Sequence, residues 1–323
     1  PLHICYLGNA ANVHEQRWLE PIAKAGHKVS IISDTLAELP YAQIVHFQPE
    51  KEFHSPLSRF IGSILKIRMI LKQLKPDIVH AHFVSGLAFT FPFLGFKHKV
   101  ITAWGSDVLL FPQRSRQIRL FVQGALRSAQ LVTAQSKFVL DRVISLSRIP
   151  ANKTALIRWS LDFEEFPQLS AEKILAIRKE LGFKPDDFVF IHLRNLTEVY
   201  NVDILLKAFA QIAQAHPKAR LLLKYERAAN LENIQQLITD LKLNDKVIIK
   251  GHVPHRELNN YLQAAQVGIS ITSSDSGMIS CMEAMAVKLP LILTDIPAVH
   301  ELLAGTGDAE IVGIRDIDSL KLS

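Results

Sequence analysis

Cysteine is scarce in this chain. Only Cys5 and Cys281 occur in 323 residues, far apart and both in apolar segments. This pattern excludes a disulfide framework and favours packed thiols in a reducing compartment. No histidine or cysteine spacing typical of a metal site is present either. We therefore expect a cytoplasmic protein that holds no metal.

Long hydrophobic runs are also missing. The longest apolar stretch, residues 83–96, is interrupted by glycines and by Pro92, and it is too short to cross a bilayer. No signal-peptide pattern is visible. The sequence predicts no membrane-spanning helix, and we expect residues 83–96 to form a buried helix and loop.

Acidic residues are few in the first half of the chain. Residues 1–165 contain 20 Lys and Arg against 12 Asp and Glu (net +8), and the remainder contains 17 against 19 (net −2), which gives +6 in total. Two predicted helices, 57–75 and 114–127, mix basic with bulky apolar residues. Their basic faces are either ordinary solvated surfaces or a docking face for an anionic membrane, which would place the protein peripherally on the inner face of the membrane.

Strand-like runs alternate with helical patterns along the whole chain, which predicts parallel sheets covered by helices on both faces. The length suits two domains. Composition changes near residue 163, where a charged, proline-containing connection begins. The sequence thus predicts an α/β fold with two tandem Rossmann-like, doubly wound domains, residues 1–165 and 166–323. We expect an interdomain cleft where ligands bind beyond the carboxyl ends of the strands.

The segment SSDSGMISCMEAMAVKLP suggests an anion site. A helix is predicted to begin near Gly277, so that its first backbone N–H groups face the preceding loop. Ser276, Ser280 and Glu283 are spaced to form one polar stripe on this apolar helix. A carboxylate there suits the hydroxyls of a ribose. The alternative is a solvated Glu283 or a pair with Lys288. The predicted donor-binding residues at the helix start are Ser276, Gly277, Met278 and Ile279.

Candidate residues in the first half lie at strand ends and in the first predicted helix. Gly8 and Asn9 end a strand just before a helix, so their backbone could face a diphosphate or an acceptor. His14 and Arg17 lie in the first turns of that helix and are candidates for ligand contact. His82 ends the strand DIVHAH, and alternation places it on the same face as His80. We interpret His82 as a candidate for contact with a ligand at this edge of the sheet.

The segment from Ser273 to Asp295 resembles the acid, seven residues, acid motif of the retaining family 4 (group 1) glycosyltransferases, with Asp275 and Glu283 as the acids. Further similar segments follow the usual order of that family: PDIVHAHF, VITAWGSDV, HLRNLTEVYNVDILLKAFAQI and GHVPHRELNNYLQAAQVGISIT. The resemblance implies a GT-B fold and transfer of a sugar from a UDP- or GDP-sugar to an acceptor hydroxyl, with retention, without a required cofactor or metal. The expected acceptor is a saccharide or lipid-linked saccharide in polysaccharide or glycolipid assembly.

The resemblance also implies roles for site residues. The second acid holds the ribose, and the first contacts the donor sugar. Arg194 matches an arginine that contacts the leaving diphosphate. The family usually places a lysine where Tyr200 stands, and Lys224 is our candidate for the replacement charge. The turn GHVP, with Gly251 and Val253, matches a segment whose backbone meets the base.

This sequence departs from the family pattern at several positions. Asp275 stands where glutamate is usual, residues 224–230 lack the usual glycines, and Trp104 replaces a frequent histidine. Asp107 remains a candidate for a hydrogen bond to the acceptor sugar. Given the sugar acceptor that the resemblance implies, we interpret His82 as a group near the acceptor hydroxyl and His14 and Arg17 as acceptor-binding candidates. Because the family usually ends in further helices, we expect the sequence to be a fragment.

Several functions other than sugar transfer are alternatives for this sequence. The departures are also compatible with a degenerate subunit that binds nucleotide or a partner transferase, and the fold with sugar-nucleotide epimerisation or phosphorolysis. A metal-dependent transferase would need an acidic pair such as Asp316 and Asp318. Nucleic acid is not an expected partner, because the basic half lacks interleaved exposed aromatic residues.

Overall fold

The computed structural model describes residues 1–48, 55–192, 194–304 and 309–322. The chain divides into two compact units, Pro1–Arg158 and Trp159–Ser323. The division falls a few residues before the predicted boundary after residue 165. Each unit is built on one parallel sheet.

The first unit contains a sheet of seven strands in the order β3-β2-β1-β4-β5-β6-β7. The strands are β1 (His3–Leu7), β2 (Lys28–Ser33), β3 (Gln43–His46), β4 (Ile78–His82), β5 (Lys99–Ala103), β6 (Leu131–Ala134) and β7 (Thr154–Leu156). All neighbours pair in parallel. The order reverses between β1 and β4, so their carboxyl ends mark the topological switch point at which such sheets bind ligands.

Four of the six helices of the first unit begin after an Asn or Ser whose side chain caps the helix. The six helices are α1 (Val13–Lys24), α2 (Pro56–Leu74), α3 (Ser106–Leu109), α4 (Phe111–Arg114), α5 (Arg116–Ser128) and α6 (Lys137–Ser147). The Asn12 side chain accepts the His14 N–H at 2.8 Å, and Ser55 with Ser58 forms a capping box on α2. In the apolar stretch 83–96, where a buried helix and loop were expected, Gly86–Phe93 forms a 3₁₀ segment that contains Pro92 and is partly buried.

The second unit contains a sheet of six parallel strands in the order β10-β9-β8-β11-β12-β13, which is the Rossmann order. Its strands are β8 (Phe188–His192), β9 (Ala219–Lys224), β10 (Val247–Lys250), β11 (Val267–Ser270), β12 (Leu291–Thr294) and β13 (Ala309–Val312). Its helices are α7 (Ala171–Glu180), α8 (Val202–Ala215), α9 (Leu231–Asp240), α10 (Leu258–Ala264), α11 (Ile279–Ala286), α12 (Pro297–Leu303) and α13 (Ile317–Leu322). The switch point lies between β8 and β11.

Apolar clusters cover both faces of each sheet. In β1, Cys5 and Leu7 pack in one cluster, whereas Ile4 and Tyr6 pack in another on the opposite face. Two further clusters flank the second sheet. The prediction of two Rossmann-like, doubly wound domains is therefore confirmed.

Both cysteines are buried free thiols. Burial raises the pKa of Cys5 to about 12, so that thiol is inert at neutral pH. Within the described part of the chain, no helix combines the length and the apolar character needed to cross a bilayer.

Candidate functional site

Arg194 and Asp275 meet at the switch point of the second sheet. Arg194 follows β8 and Asp275 follows the neighbouring strand β11, and their side chains form an ion pair. Arg194 Nη1 also donates to Ser280 Oγ at 2.5 Å, and its guanidinium lies 4.7 Å from the centre of the Tyr200 ring. The structure thus brings together the predicted residues Arg194, Asp275 and Tyr200. Tyr200 places its ring face against the cation, at the position where the resembling family usually has a lysine.

The start of α11 differs from the prediction. The helix begins at Ile279 rather than near Gly277, because Met278 adopts a left-handed backbone conformation with φ 47°. Ser276 therefore precedes the helix and does not belong to the predicted polar stripe. Asp275 Oδ1 accepts the N–H groups of Ser276 at 2.6 Å and of Met278 at 3.4 Å. A carboxylate of the chain itself holds part of the predicted anion site.

Glu283 is buried on α11 and accepts a hydrogen bond from His255 Nε2 at 3.0 Å. The other ring nitrogen of His255 lies 3.6 Å from Glu165 Oε2, and Phe166 contacts the ring edge-to-face. The alternative of a solvated Glu283 is therefore wrong. His255 was not predicted from the sequence, where its only signal is its position directly after the GHVP turn.

Lys224 lies at the end of β9 and is ion-paired with Glu226. Glu226 also accepts from His252 Nδ1 at 2.5 Å. Burial raises the pKa of Glu226, but the hydrogen bonds from Lys224 and His252 more than offset it, and the pKa lies below the usual range. The charge of Lys224 is thus compensated within its own loop. Asn195 Oδ1 accepts the backbone N–H groups of Glu226 (3.1 Å) and Arg227 (2.9 Å), which ties this loop to the residue after Arg194.

The GHVP turn packs against the start of α11. Gly251 follows β10, and Val253 is buried in the same apolar cluster as Met278 and Cys281. A Cβ at Gly251 would lie 3.8 Å from the Tyr225 hydroxyl, an ordinary contact. The side chain of Val253 belongs to the core, so only the backbone of this residue is available to a ligand.

Two buried ionisable groups surround the Arg194 pair. Burial, with a smaller contribution from Arg194, lowers the pKa of His192 to about 3, so this imidazole is neutral. Burial also raises the pKa of the Cys281 thiol, although the nearby Arg194 opposes that shift. The pair therefore lies against neutral, poorly solvated groups, where electrostatic interactions are stronger than in water.

The switch point of the first unit also contains a carboxylate. Glu15, buried on α1, is paired with His82 Nδ1 at the end of β4. Its Oε1 accepts the N–H of Asn9 at 3.2 Å, and any side chain at Gly8 would collide with it. The predicted anion site at Gly8 and Asn9 is thus filled by Glu15. Glu15 was not predicted as a site residue, because an acid in a first helical turn is common on surfaces.

His82 is enclosed by aromatic rings. Its ring centre lies 5.3 Å from Trp18, 5.8 Å from Trp104 and 4.5 Å from His80, so the two histidines share a face as predicted. His80 hydrogen-bonds Thr102 Oγ1 at 2.7 Å, and burial lowers its pKa well below the usual value. A carboxylate can only accept hydrogen bonds, so the pair with Glu15 places a proton on Nδ1 of His82. Nε2 is the ring nitrogen that does not contact Glu15.

The remaining acceptor candidates occupy different environments. His14 packs edge-to-face on Trp104, with ring centres 6.0 Å apart, and Arg17 is half-buried on the same helix. Asp107 is completely buried and accepts the backbone N–H groups of Val84 (2.7 Å) and Gly105 (2.8 Å), as well as that of Trp104. Burial raises its pKa, and these bonds oppose the rise. Asp107 thus holds the backbone around residues 84 and 104–105, a role the sequence did not indicate.

Asp316 and Asp318 are engaged at the start of α13. Asp316 accepts the Ser319 N–H at 3.0 Å, and Asp318 lies 3.4 Å from Lys321 Nζ. Among the residues that the structure describes, no group of three or more His, Cys, Asp or Glu side chains is arranged to hold a metal ion.

Two family models match the chain. Residues 3–136 match the family described as Glycosyl transferase 4-like, and residues 173–322 match Glycosyl transferases group 1. Together the matches cover most of both units.

Curated relatives and solved structures agree with these matches. The putative teichuronic acid biosynthesis glycosyltransferase TuaC of Bacillus subtilis is 26% identical over 76% of this chain and 60% of its own length. The alpha-monoglucosyldiacylglycerol synthase of Streptococcus pneumoniae is 23% identical over 59% of this chain and 43% of its own length. The chain thus spans 43 to 60% of the length of these two relatives.

Two solved structures share the fold over the full length of the chain. Sucrose-phosphate synthase of Thermosynechococcus elongatus matches with a TM-score of 0.83 at 17% identity, over 100% of this chain and 88% of that one. Anabaena HepE in complex with UDP and glucose matches with a TM-score of 0.82 at 17% identity and the same coverage. The likeness confirms the predicted GT-B fold of two Rossmann-like domains.

Proposed function

We propose that this chain, which belongs to the group 1 glycosyltransferases, transfers a sugar from a nucleoside diphosphate-sugar to an acceptor hydroxyl. The anomeric configuration is retained, and no metal takes part. The observation that carries the proposal is the position of Arg194 at the switch point, beside the start of α11 and against buried neutral groups. This is where a doubly wound sheet binds the phosphates of a nucleotide.

Arg194 stabilises the charge that develops on the leaving diphosphate. Its planar guanidinium suits bidentate contact with phosphate oxygens, and Tyr200 and Ser280 fix its orientation before the donor binds. The diphosphate competes with Asp275 for this cation. Asp275, released from the pair, accepts hydrogen bonds from the donor sugar.

Glu283 holds the ribose of the donor. His255 occupies one of its oxygens, and a carboxylate has further lone pairs for ribose hydroxyls. The backbone of the turn at Gly251 lies beside the base, since Val253 and Met278 pack together and join this turn to the helix start. Lys224, paired with Glu226, contributes less to the diphosphate than Arg194.

The acceptor site lies at the first switch point. Glu15 orients His82 there, and His14 and Arg17 are further candidates for contacts with the acceptor. The names of the two relatives mention teichuronic acid and monoglucosyldiacylglycerol. We infer a saccharide or lipid-linked saccharide acceptor, used on the cytoplasmic side of the membrane. UDP-sugars are the first donors to test, because Anabaena HepE was solved with UDP and glucose.

Product analysis tests this proposal. The purified chain is incubated with UDP- or GDP-sugars and saccharide or glycolipid acceptors, with and without a chelator, and the products are analysed by mass spectrometry and NMR. Transfer with retention, unaffected by chelator, is expected. An epimerised or phosphorolysed donor, or an inverted product, would contradict the proposal.

A further inference from the structure

Helix α2 of the first unit exposes a stripe of large apolar side chains. Leu57, Ile61, Leu65 and Met69 recur every fourth residue, which places them along one side of the helix. They are between 49 and 68% exposed, whereas Ile67 and Leu71 of the same helix are buried. Single exposed apolar residues are common on protein surfaces, but a continuous stripe of four marks an interaction site.

Aromatic residues extend this stripe onto neighbouring elements. Phe60 of α2 contacts Phe93 of the 3₁₀ segment at 5.8 Å and Phe121 of α5 at 5.7 Å between ring centres. Phe93 and Phe121 are themselves half-exposed, and Phe89 stacks on Phe121. These contacts join the three elements into one surface, which we call the α2–α5 face.

The charge beside this face has one sign. The helix Pro56–Leu74 contains four Lys and Arg and no Asp or Glu, and Arg116–Ser128 contains three Arg and no acid. Arg68 and Lys72 are exposed and lie three residues after Leu65 and Met69, so they are on the same side of the helix as the apolar stripe. Arg116 and Arg119 are exposed on α5.

We propose that the α2–α5 face docks onto a bilayer that contains anionic lipids. A helix with bulky apolar side chains on one side and only cationic charge beside them lies in the membrane interface, with the apolar groups inserted and the cations at the headgroups. A protein partner would normally supply acids to pair with the cations and would demand shaped pockets. A lipid surface supplies both dispersed negative charge and a deformable apolar layer, which fits an exposed apolar stripe with cations on the same side.

Mutations can separate the contributions of charge and of apolar contact to membrane binding. Arg68→Gln with Lys72→Gln removes charge without changing the apolar stripe, and Leu65→Ser with Met69→Ser does the reverse. All four side chains are exposed, so the fold is expected to survive, as circular dichroism would verify. The matched controls lie on α7 of the second unit, where Lys173, Lys179 and Leu175 are also exposed: Lys173→Gln with Lys179→Gln, and Leu175→Ser.

Vesicle cosedimentation tests the proposal. The full chain is mixed at low salt with vesicles of phosphatidylcholine alone or of equal parts phosphatidylcholine and phosphatidylglycerol. The wild type and the α7 variants are expected to bind only the anionic vesicles, and each α2 double variant is expected to bind roughly tenfold more weakly.

Equal binding by all variants, or no binding to anionic vesicles, would overturn the proposal. So would a dimer in solution that Leu65→Ser with Met69→Ser dissociates without any change in vesicle binding, because a second copy would then cover the face. Nucleotide binding by the α2 variants, measured in parallel, should not change, so this result is independent of the proposed transfer.

Discussion

Arg194 and Asp275 form an ion pair across two neighbouring strand ends of the second sheet. Glu15 and His82 form a comparable pair at the strand ends of the first sheet. In both units a carboxylate of the chain thus lies at the topological switch point, where a ligand is expected. The charges of the proposed donor site are therefore held in place before the donor binds, which reduces the reorganisation needed during transfer.

Replacing Arg194 by alanine should lower turnover by about two to three orders of magnitude, because the charge developing on the diphosphate loses its main partner. The rate of sugar transfer is measured at saturating donor. Arg220 is the control, since it is similarly buried and paired with Asp187 at 3.1 Å on the same unit. Unchanged turnover in Arg194→Ala, or an equal loss in Arg220→Ala, would exclude the assigned role.

Replacing Asp275 by asparagine should have opposite effects on binding and on turnover. The amide keeps the shape and an oxygen that can accept the backbone N–H groups, but it no longer competes for Arg194. Calorimetry should therefore show tighter binding of the free nucleoside diphosphate, while transfer becomes slower because the donor sugar loses a charged acceptor. Weaker diphosphate binding would show that Asp275 does not compete with the phosphates.

Glu15→Gln should destabilise the first unit. The variant leaves the buried His82 facing a neutral amide in place of a carboxylate, and the loss of a buried hydrogen bond to a charged group costs about 1.5–3 kcal/mol. Glu20→Gln on the same helix is the control: Glu20 pairs with Lys24 at the surface, and losing such a pair changes stability by about 1 kcal/mol or less. The test compares the free energies of unfolding in urea of the Glu15→Gln and Glu20→Gln variants. Similar values for the two variants would mean that the Glu15 pair contributes little.

The free energy of unfolding should fall as the pH drops below the ordinary pKa of histidine. His192 has a folded pKa of about 3 against 6.5 when unfolded, so unfolding takes up a proton between these values. Stability is then fully present above pH 6.5 and decreases below it, by up to about 1.4 kcal/mol per pH unit for one group. His80 acts in the same direction.

Urea midpoints measured at several pH values would show this effect. His192→Leu should flatten the dependence, whereas replacement of the exposed His216 by leucine should leave it unchanged. An unaltered slope in His192→Leu would place the acid sensitivity elsewhere.

The strand positions and the domain class were predictable from the sequence because buried parallel strands are continuous apolar runs. Arg194, Asp275 and Tyr200 were predicted as site residues through the family resemblance. The topology explains why they meet, since they follow strands that lie side by side. The start of α11 was harder to predict from the sequence. It depends on the left-handed Met278, and a methionine gives no signal for that conformation.

The partners of the candidate acids could not be predicted. His255 reaches Glu283 from a different loop, and Glu15 reaches His82 across 67 positions of sequence. No local spacing encodes such contacts. Asp107 was misjudged for a related reason, because its three backbone donors come from the ends of two strands and are visible only in the fold.

The most direct test of the central claim is a thermal-shift measurement of the wild type and Glu283→Ala with UDP, GDP, ADP and their common sugar derivatives. Glu180→Ala, an exposed acid on α7, is the control. We expect one nucleoside diphosphate to raise the melting temperature of the wild type and the control by several degrees, and the rise to be lost in Glu283→Ala. Absence of any shift in the wild type, or an undiminished shift in Glu283→Ala, would contradict a donor site at Glu283.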